Sequence, residues 1–351
     1  MENNQFYQKE FSHNNYSELK DLNIHNSQEN DTWIYQEKIP KSEGHNCNLK
    51  SSINPHQRAI SSLNFSPNGL FIASSSADKT AKIFTVSDLK EIQCLSGHEK
   101  GLSHISWSPD SRYVCTSSDD QTVKIWEVET GQELREFDYQ SIVFSSNFNP
   151  RGNLLISTTY DTYVHISDVR AKLPLQKFPG HSTPVTHGCF SHDNSIFATS
   201  SFEGLIRIWE TRTGTCLRSI NNSLSPKDPE RPCTFVKFTP NSRYVLSSNL
   251  DSRVLLTDIY TGKSKKTYQG HINYRFCVGS DFLFTFKNMD FVISGSEDGS
   301  VVLWELQSKQ MVAVLKQHQE SVIDVSGHPT LPIFGSCSHS PENSIKLWEL
   351  N

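Results

Sequence analysis

The chain has 351 residues, and 38 acidic against 33 basic side chains leave it a net charge of −5. That balance excludes a strongly basic nucleic-acid binder and a polyanionic tail. With 35% hydrophobic and 11% aromatic residues, the chain can build two or three ordinary domains or one large closed β domain.

The N-terminal stretch 1–48 differs in composition from the rest. It contains nine asparagines, many Ser, Gln, Glu and Lys, and few aliphatics, which is the composition of a disordered tail. Trp33 and Tyr35 in NDTWIYQEK are the exception, readable as a weakly packed segment or as a short docking motif. The opening MENNQFYQKEFSHNN lacks the charged-then-apolar order of a signal peptide. No apolar run approaches the roughly 20 residues that span a bilayer. The expectation is a soluble, intracellular protein. Its eight cysteines include no C-x-x-C and no zinc spacing, so reduced and mostly buried thiols are expected, with no metal and no cofactor.

From residue 49 onward the chain repeats. AKIFTV (81–86), VKIWEV (123–128), VHISDV (164–169), IRIWET (206–211), VLLTDI (254–259), VVLWEL (301–306) and IKLWEL (345–350) alternate apolar with polar residues, as half-buried strands do. Their common position holds Phe84, Trp126, Ser167, Trp209, Thr257, Trp304 and Trp348, spaced by 42, 41, 42, 48, 47 and 44 residues. Gly97-His98, Gly180-His181 and Gly270-His271 precede three of the units, and His56 and His318 stand alone before two others. An acid follows 22 residues after the histidine in the pairs His56 and Asp78, His98 and Asp120, His181 and Glu203. Turn clusters such as S-P-N-G lie between them. NNSLSPKDPERPC (221–233) reads as a surface loop, and GSDFLFTFKNMDFVIS (279–294) as a slightly elongated strand pair.

Together these motifs identify the chain as a member of the WD-repeat family. The resemblance covers residues 49–351 and implies an all-β, seven-bladed WD-repeat β-propeller. The last unit ends at Trp348 with no room for another strand, so Leu49 and Ile53 in LKSSI are expected to close the ring from the N-terminal side. The histidines and acids resemble catalytic material, but their repetition argues for a structural role. The family's hydrogen-bonded sets imply His98, Ser118, Asp120 and Trp126 in one blade and His181, Ser201, Glu203 and Trp209 in another. Blades three and five, lacking a Gly-His pair and carrying Ser167 and Thr257 at the tryptophan position, are expected to be less tightly pinned. Asn343 stands at an acid position. No P-loop, G-x-G-x-x-G, G-x-S-x-G or H-E-x-x-H occurs, which points away from an enzyme.

SPNGLFIASSSADKT, SSDDQTVKIWEVETG, TFVKFTPNSRYVL, KKTYQGH, FVISGSEDG and SIKLWEL resemble one subfamily more closely. It is the WD-repeat core subunit of the SET-domain histone H3 lysine-4 methyltransferase (COMPASS or MLL-type) complexes. The resemblance implies a nuclear, non-enzymatic scaffold binding a SET-domain methyltransferase subunit, a second WD-repeat subunit and the histone H3 tail. It implies no direct nucleic-acid contact, no membrane and no requirement for a homo-oligomer. An arginine-accepting central channel would be formed by Ala77, Ser103, Asp119, Phe144, Tyr160, Thr186, Phe202, Thr234, Phe276 and Cys277, with the cation between aromatic rings. Phe144 matches the first clamp aromatic, while the second falls on Gly279. A cleft between blades five and six would take the second WD-repeat subunit at Asn241, Tyr244, Leu256, Lys266, Phe282, Phe284 and Gln307. The other reading is a propeller adaptor in a different nuclear assembly, a ubiquitin-ligase substrate receptor or a splicing particle.

Overall fold

Each repeat folds as a four-stranded antiparallel sheet. The computed structural model describes residues 47–171, 174–221, 231–285 and 290–351, and every regular element among these is a strand. The sheets run Ile60–Ser96, Leu102–Asp138, Val143–Pro179, Val185–Asn221, Cys233–Tyr268 and Ser280–Lys316, with the strands of each in sequential order (blades one to six). Blade seven combines Val322–Gly327, Ile333–Ser338 and Ile345–Leu350 with the N-terminal strand Cys47–Ile53. The seven sheets form a seven-bladed β-propeller.

The closing strand begins two residues before the expected Leu49. Leu49 pairs with Trp348 and Ile53 with Ile345. The ring is therefore closed by hydrogen bonds between the start and the end of the propeller. This removes an exposed strand edge that the last blade would otherwise present. The inner strand of blade one packs against those of blades two and seven. Cys47 and Asn48, expected in the tail, belong to the closing strand, while residues 1–46 with Trp33 and Tyr35 lie outside the described residues, as does most of the 221–233 loop.

Apolar side chains fill the interfaces between blades. Leu63, Phe65 and Ile72 of blade one meet Ile333, Ile345 and Leu347 of blade seven. Strand alternation makes this possible, because one row of side chains on each sheet faces the blade before it and the other row the blade after it.

The inner strands share a second device. The register shifts between Ile60 and Ser62, Leu102 and His104, Val143 and Ser145, Val185 and His187, Cys233 and Phe235, and Val322 and Asp324. Each bulge leaves one residue out of the ladder next to the axis: Ser61, Ser103, Phe144, Thr186, Thr234 and Ile323.

Blade six departs from this pattern. Ser280 pairs with Ser294 at the start of a ladder without a shift. The Ile272 carbonyl accepts the Glu297 amide, as the Gly101 carbonyl accepts that of Asp119 in blade two. Ser280 follows eight residues after Ile272, whereas Ile105, its counterpart, follows four after Gly101. The extra residues form a loop at the channel mouth. The expected elongation of the 279–294 strands is not found: Ser280–Phe284 has five residues and Asp290–Gly295 six. The additional length lies in the loop before them.

Three of the cysteines, Cys115, Cys233 and Cys337, are buried, whereas Cys94, Cys216 and Cys277 are exposed. The expectation of mostly buried thiols is corrected for a simple reason. Cys94 and Cys216 lie on outermost strands, where no further strand covers them.

Candidate functional site

The repeated polar sets hold the blades rigid. In blade two the Trp126 indole donates to Thr116 Oγ1 (2.9 Å), and the Thr116 hydroxyl meets His98 Nε2 (2.8 Å). His98 Nδ1 donates to Asp120 Oδ2 (2.8 Å). In blade four Trp209, Thr199, His181 and Glu203 repeat the chain. The hydroxyl is therefore Thr116 or Thr199 and not the expected Ser118 or Ser201. The reason is strand register: Trp126 pairs with Val114, and Thr116 is the next residue on the same face. Ser118 sits at the strand end and donates to the Gly101 carbonyl (2.9 Å).

Burial by itself would raise the Asp120 carboxyl, but hydrogen bonds from His98 and Thr122 outweigh it and hold the group well below the usual carboxylate range. Glu203 is likewise lowered to about 2, its burial outweighed by His181 and Ser182. In blade seven the acid is Glu342, not Asn343. The turn from Ser338 to Ser344 is two residues longer than that from Ser118 to Thr122, so Glu342 precedes Ser344 as Asp120 precedes Thr122. His318 Nδ1 lies 3.3 Å from Glu342.

Blade three is not loosened as expected. The Tyr139 hydroxyl bonds to Ser167 (2.9 Å) and Ser157 (3.1 Å), a phenol joining the tryptophan and threonine positions. In blade five, by contrast, the Thr257 hydroxyl is buried without a partner among the described residues. The open network is in blade six, despite its full Gly-His and Trp signature. Trp304 donates to the Gln269 carbonyl (2.9 Å), Ser294 receives Ser280 (3.0 Å), and both nitrogens of buried His271 lack a partner among the described residues.

Around the channel the structure gathers part of the expected site. Phe144 lies 6.0 Å from Phe202 in an edge-to-face contact and 6.2 Å from Tyr160. These three half-buried rings form one aromatic wall. Ser103 donates to the Val143 carbonyl (2.5 Å), and Thr186 to that of Cys233 (2.7 Å), so both hydroxyls tie neighbouring blades together. Thr234 donates to the Ser248 carbonyl at 3.3 Å. Ala77 and Asp119 hold the rim through their amides, bonded to the Ala59 and Gly101 carbonyls. Phe276 is half-buried on the inserted loop, and Cys277 beside it is exposed.

The side of the channel bearing Phe276 has a different chemistry. Phe276 packs on His339 with ring centroids 5.0 Å apart. Glu297 Oε1 accepts the amides of Tyr274 (2.8 Å), Arg275 (2.5 Å) and Phe276 (3.0 Å), fixing the loop that carries the ring. His339 and Glu297 escaped the sequence reading. Repeat register contains the signal for both, since each follows the strand-end serine as Asp119 follows Ser118.

At the other candidate cleft, Tyr244, Leu256, Phe282 and Phe284 join one hydrophobic cluster between blades five and six. Phe282 stacks on Phe284 at 5.8 Å, and the Arg243 guanidinium lies 5.4 Å over the Tyr244 ring. Leu256 and Phe282 are buried, leaving Tyr244 and Phe284 half-exposed. Lys266 Nζ donates to Gln307 Oε1 (2.9 Å) and to the Leu306 carbonyl (2.8 Å), so this pair clamps the two blades together. Asn241 stands apart. Its Oδ1 caps the turn delivering Tyr244, accepting from Thr239 (2.7 Å) and the Arg243 amide (3.1 Å). Its side faces a cavity of about 330 Å³ shared with blade four.

Among the described residues no three His, Cys, Asp or Glu side chains come together as a metal site. The geometry offers aromatic walls, backbone carbonyls and paired polar groups on a rigid ring, which is the equipment of a binding platform. Fold and site together define a closed WD-repeat propeller of the scaffold class. The chain belongs to the family of the WDR5 beta-propeller domain, which it matches over residues 52–349. It is 30% identical over 224 residues to the COMPASS component SWD3 of Saccharomyces cerevisiae, covering 59% of this chain and 68% of that protein. It is 34% identical over 300 residues to GID complex subunit 7 of Schizosaccharomyces pombe, covering 84% of this chain and 57% of that protein. Identity to human pre-mRNA-processing factor 17 is 24% over 229 residues, covering 63% of this chain and 38% of that protein.

Proposed function

We propose that this protein is a non-enzymatic scaffold subunit of a nuclear histone H3 lysine-4 methyltransferase complex. It holds the SET-domain catalytic subunit and a second WD-repeat subunit together, so that the chemistry of methyl transfer belongs to its partner. The observation that carries this reading is the likeness to the COMPASS component SWD3, combined with the WDR5-type propeller. The aromatic wall of Phe144, Tyr160 and Phe202 suits a cationic side chain entering the channel. The half-exposed Tyr244 and Phe284 suit an aliphatic segment of the second WD-repeat subunit. Tagged purification of the full chain followed by mass spectrometry tests the reading. Recovery of a SET-domain methyltransferase with its WD-repeat and SPRY-type subunits is expected, and their absence overturns it.

A second reading is supported by the 34% identity to GID complex subunit 7, which extends over 84% of the chain. On this reading the propeller is an adaptor in a ubiquitin-ligase or splicing assembly. The same purification separates the two by which partners return.

A further inference from the structure

Between blades one and two lies a cavity of about 490 Å³, lined by Phe71, Ile92, Gln93, Tyr113, Glu127 and Glu129 among others. Its floor is aromatic: Phe71 stacks on Trp107 with centroids 6.2 Å apart and planes 14° from parallel. Ile92 projects from the outer strand Glu91–Ser96 and is 38% exposed, an apolar side chain beside an open space. Gln93 Nε2 donates to the Glu129 carbonyl (2.9 Å), bridging the two blades.

Strand register makes this the counterpart of the cleft between blades five and six. Phe71 pairs with Thr85 as Tyr244 pairs with Asp258, and Gln93 pairs with Ile83 as Lys266 pairs with Leu256. The Glu127 amide donates to the Gln132 carbonyl as that of Glu305 donates to Gln310, which aligns Glu129 with Gln307. The construction is the same, but its charges are placed differently: Arg112 of the first cleft aligns with Asp290 of the second, and Glu127 aligns with Glu305. A cation stands at Lys266 where the first cleft has neutral Gln93, and neutral Gln307 stands where the first cleft has Glu129.

The neighbouring strand Glu133–Asp138 carries three acids against one Arg135, and Lys124 is shared between Glu133 (2.8 Å) and Glu136 (2.6 Å). Arg112 is the cation among the residues lining the cavity. Two carboxylates share that lining, of which Glu129 is exposed and Glu127 half-buried.

We propose that the cleft between blades one and two is a second docking site, for an extended basic segment of a partner protein carrying an aliphatic or aromatic anchor. The anchor covers Ile92 beside Phe71 and Tyr113, and lysine or arginine side chains flanking it meet Glu127 and Glu129. Apolar anchoring supplies most of the affinity, and charge complementarity selects a basic over an acidic segment. The scaffold would thus hold partners at two edges of the ring, through clefts whose charges are placed differently.

The test uses the full chain and a fluorescein-labelled peptide, Lys-Ile-Lys-Phe-Lys-Gly, followed by anisotropy at roughly physiological salt. Saturable binding is expected, weakened about tenfold by the double substitution E127Q/E129Q and similarly by I92D. Glu99→Gln, which removes an exposed acid outside the cavity, and Tyr244→Ala, at the other cleft, are expected to leave affinity within about twofold. Circular dichroism confirms that each variant is folded. Equal weakening by E99Q reveals non-specific charge attraction and overturns the proposal. Cleft variants that bind like the unaltered protein overturn it too. Because Tyr244→Ala reports separately, failure at one cleft does not depend on the other.

Discussion

Asp324 occupies the space that a side chain at Gly279 would need. A β-carbon built at Gly279 falls well inside van der Waals contact of Asp324 Oδ1. The Gly279 amide also donates to the Ile323 carbonyl (2.9 Å), drawing the two inner strands close. Gly279, where the second clamp ring was expected, is therefore matched by a carboxyl on the next blade, and the two residues form one packing unit.

Gly279→Phe is accordingly expected to destabilise the protein by about 1–3 kcal/mol, the usual cost of overpacking. Gly279→Phe combined with Asp324→Ser should recover part of this, because the obstructing carboxyl is gone. Urea denaturation of the single and double variants checks the coupling. Additive effects would show that the two residues do not share the space.

Asp324 also predicts a pH dependence. Burial pushes its carboxyl up to about 7, with nearby Asp281 adding to the shift. The Ser62 hydroxyl and the Leu63 amide, each 2.9 Å from Oδ2, oppose the shift without cancelling it. An unfolded aspartate titrates near 4, so between about pH 4 and 7 the folded state binds the extra proton. The stabilisation is complete below the unfolded value and is lost as pH rises through about 7. Asp324→Asn should flatten the stability profile from about pH 4 to 7. Chemical denaturation at several pH values measures it.

The polar sets predict the reverse at low pH. Asp120 and Glu203 are held low, so their stabilisation is present above the unfolded carboxylate value near 4 and lost as pH falls through their folded values. Thr116→Val removes the hydroxyl that both His98 and Trp126 use, leaving two buried groups unpaired. It should cost about 2–4 kcal/mol, against about 1 kcal/mol for Ser118→Ala. Thermal and urea unfolding of the two variants distinguish them.

Deleting residues 49–53 should lower the melting temperature sharply. It removes the strand paired with Ile345–Leu350 and the Ile53 contact with the cluster between blades seven and one. It also exposes a strand edge, so aggregation on heating should rise. An unchanged melting temperature by differential scanning calorimetry would show that the ring needs no closure by this strand.

Phe144→Ala is expected to abolish binding of an arginine-containing histone H3 or methyltransferase peptide. It takes away the ring that contacts both Tyr160 and Phe202. Isothermal titration calorimetry with the peptide checks this, and equal affinity for the variant would exclude the channel as its site.

Much of the fold was legible in the residues. Strand alternation, the spacing of Phe84 through Trp348 and the turn clusters are local properties, repeated seven times, and repetition makes a weak signal strong. The position of the closing strand was legible for a related reason, since a seventh sheet lacking one strand must find it elsewhere. The site was legible only where a side chain acts within its own blade or matches a neighbour of the same register. Phe144, Tyr160 and Phe202 come together as expected, whereas Asn241 turns out to cap its own turn toward blade four.

What the sequence determined by itself was the number of blades, their boundaries to within a few residues and the residue types available at each repeated position. Tertiary structure decided which hydroxyl completes each polar set, that Glu342 and not Asn343 is the acid of blade seven, and that Phe276 meets His339. It also decided that Asp324 fills the place of a side chain at Gly279. Each of these depends on contacts across a turn or between blades. Such contacts are set by strand register, inserted residues and packing, none of which leaves a period in the chain.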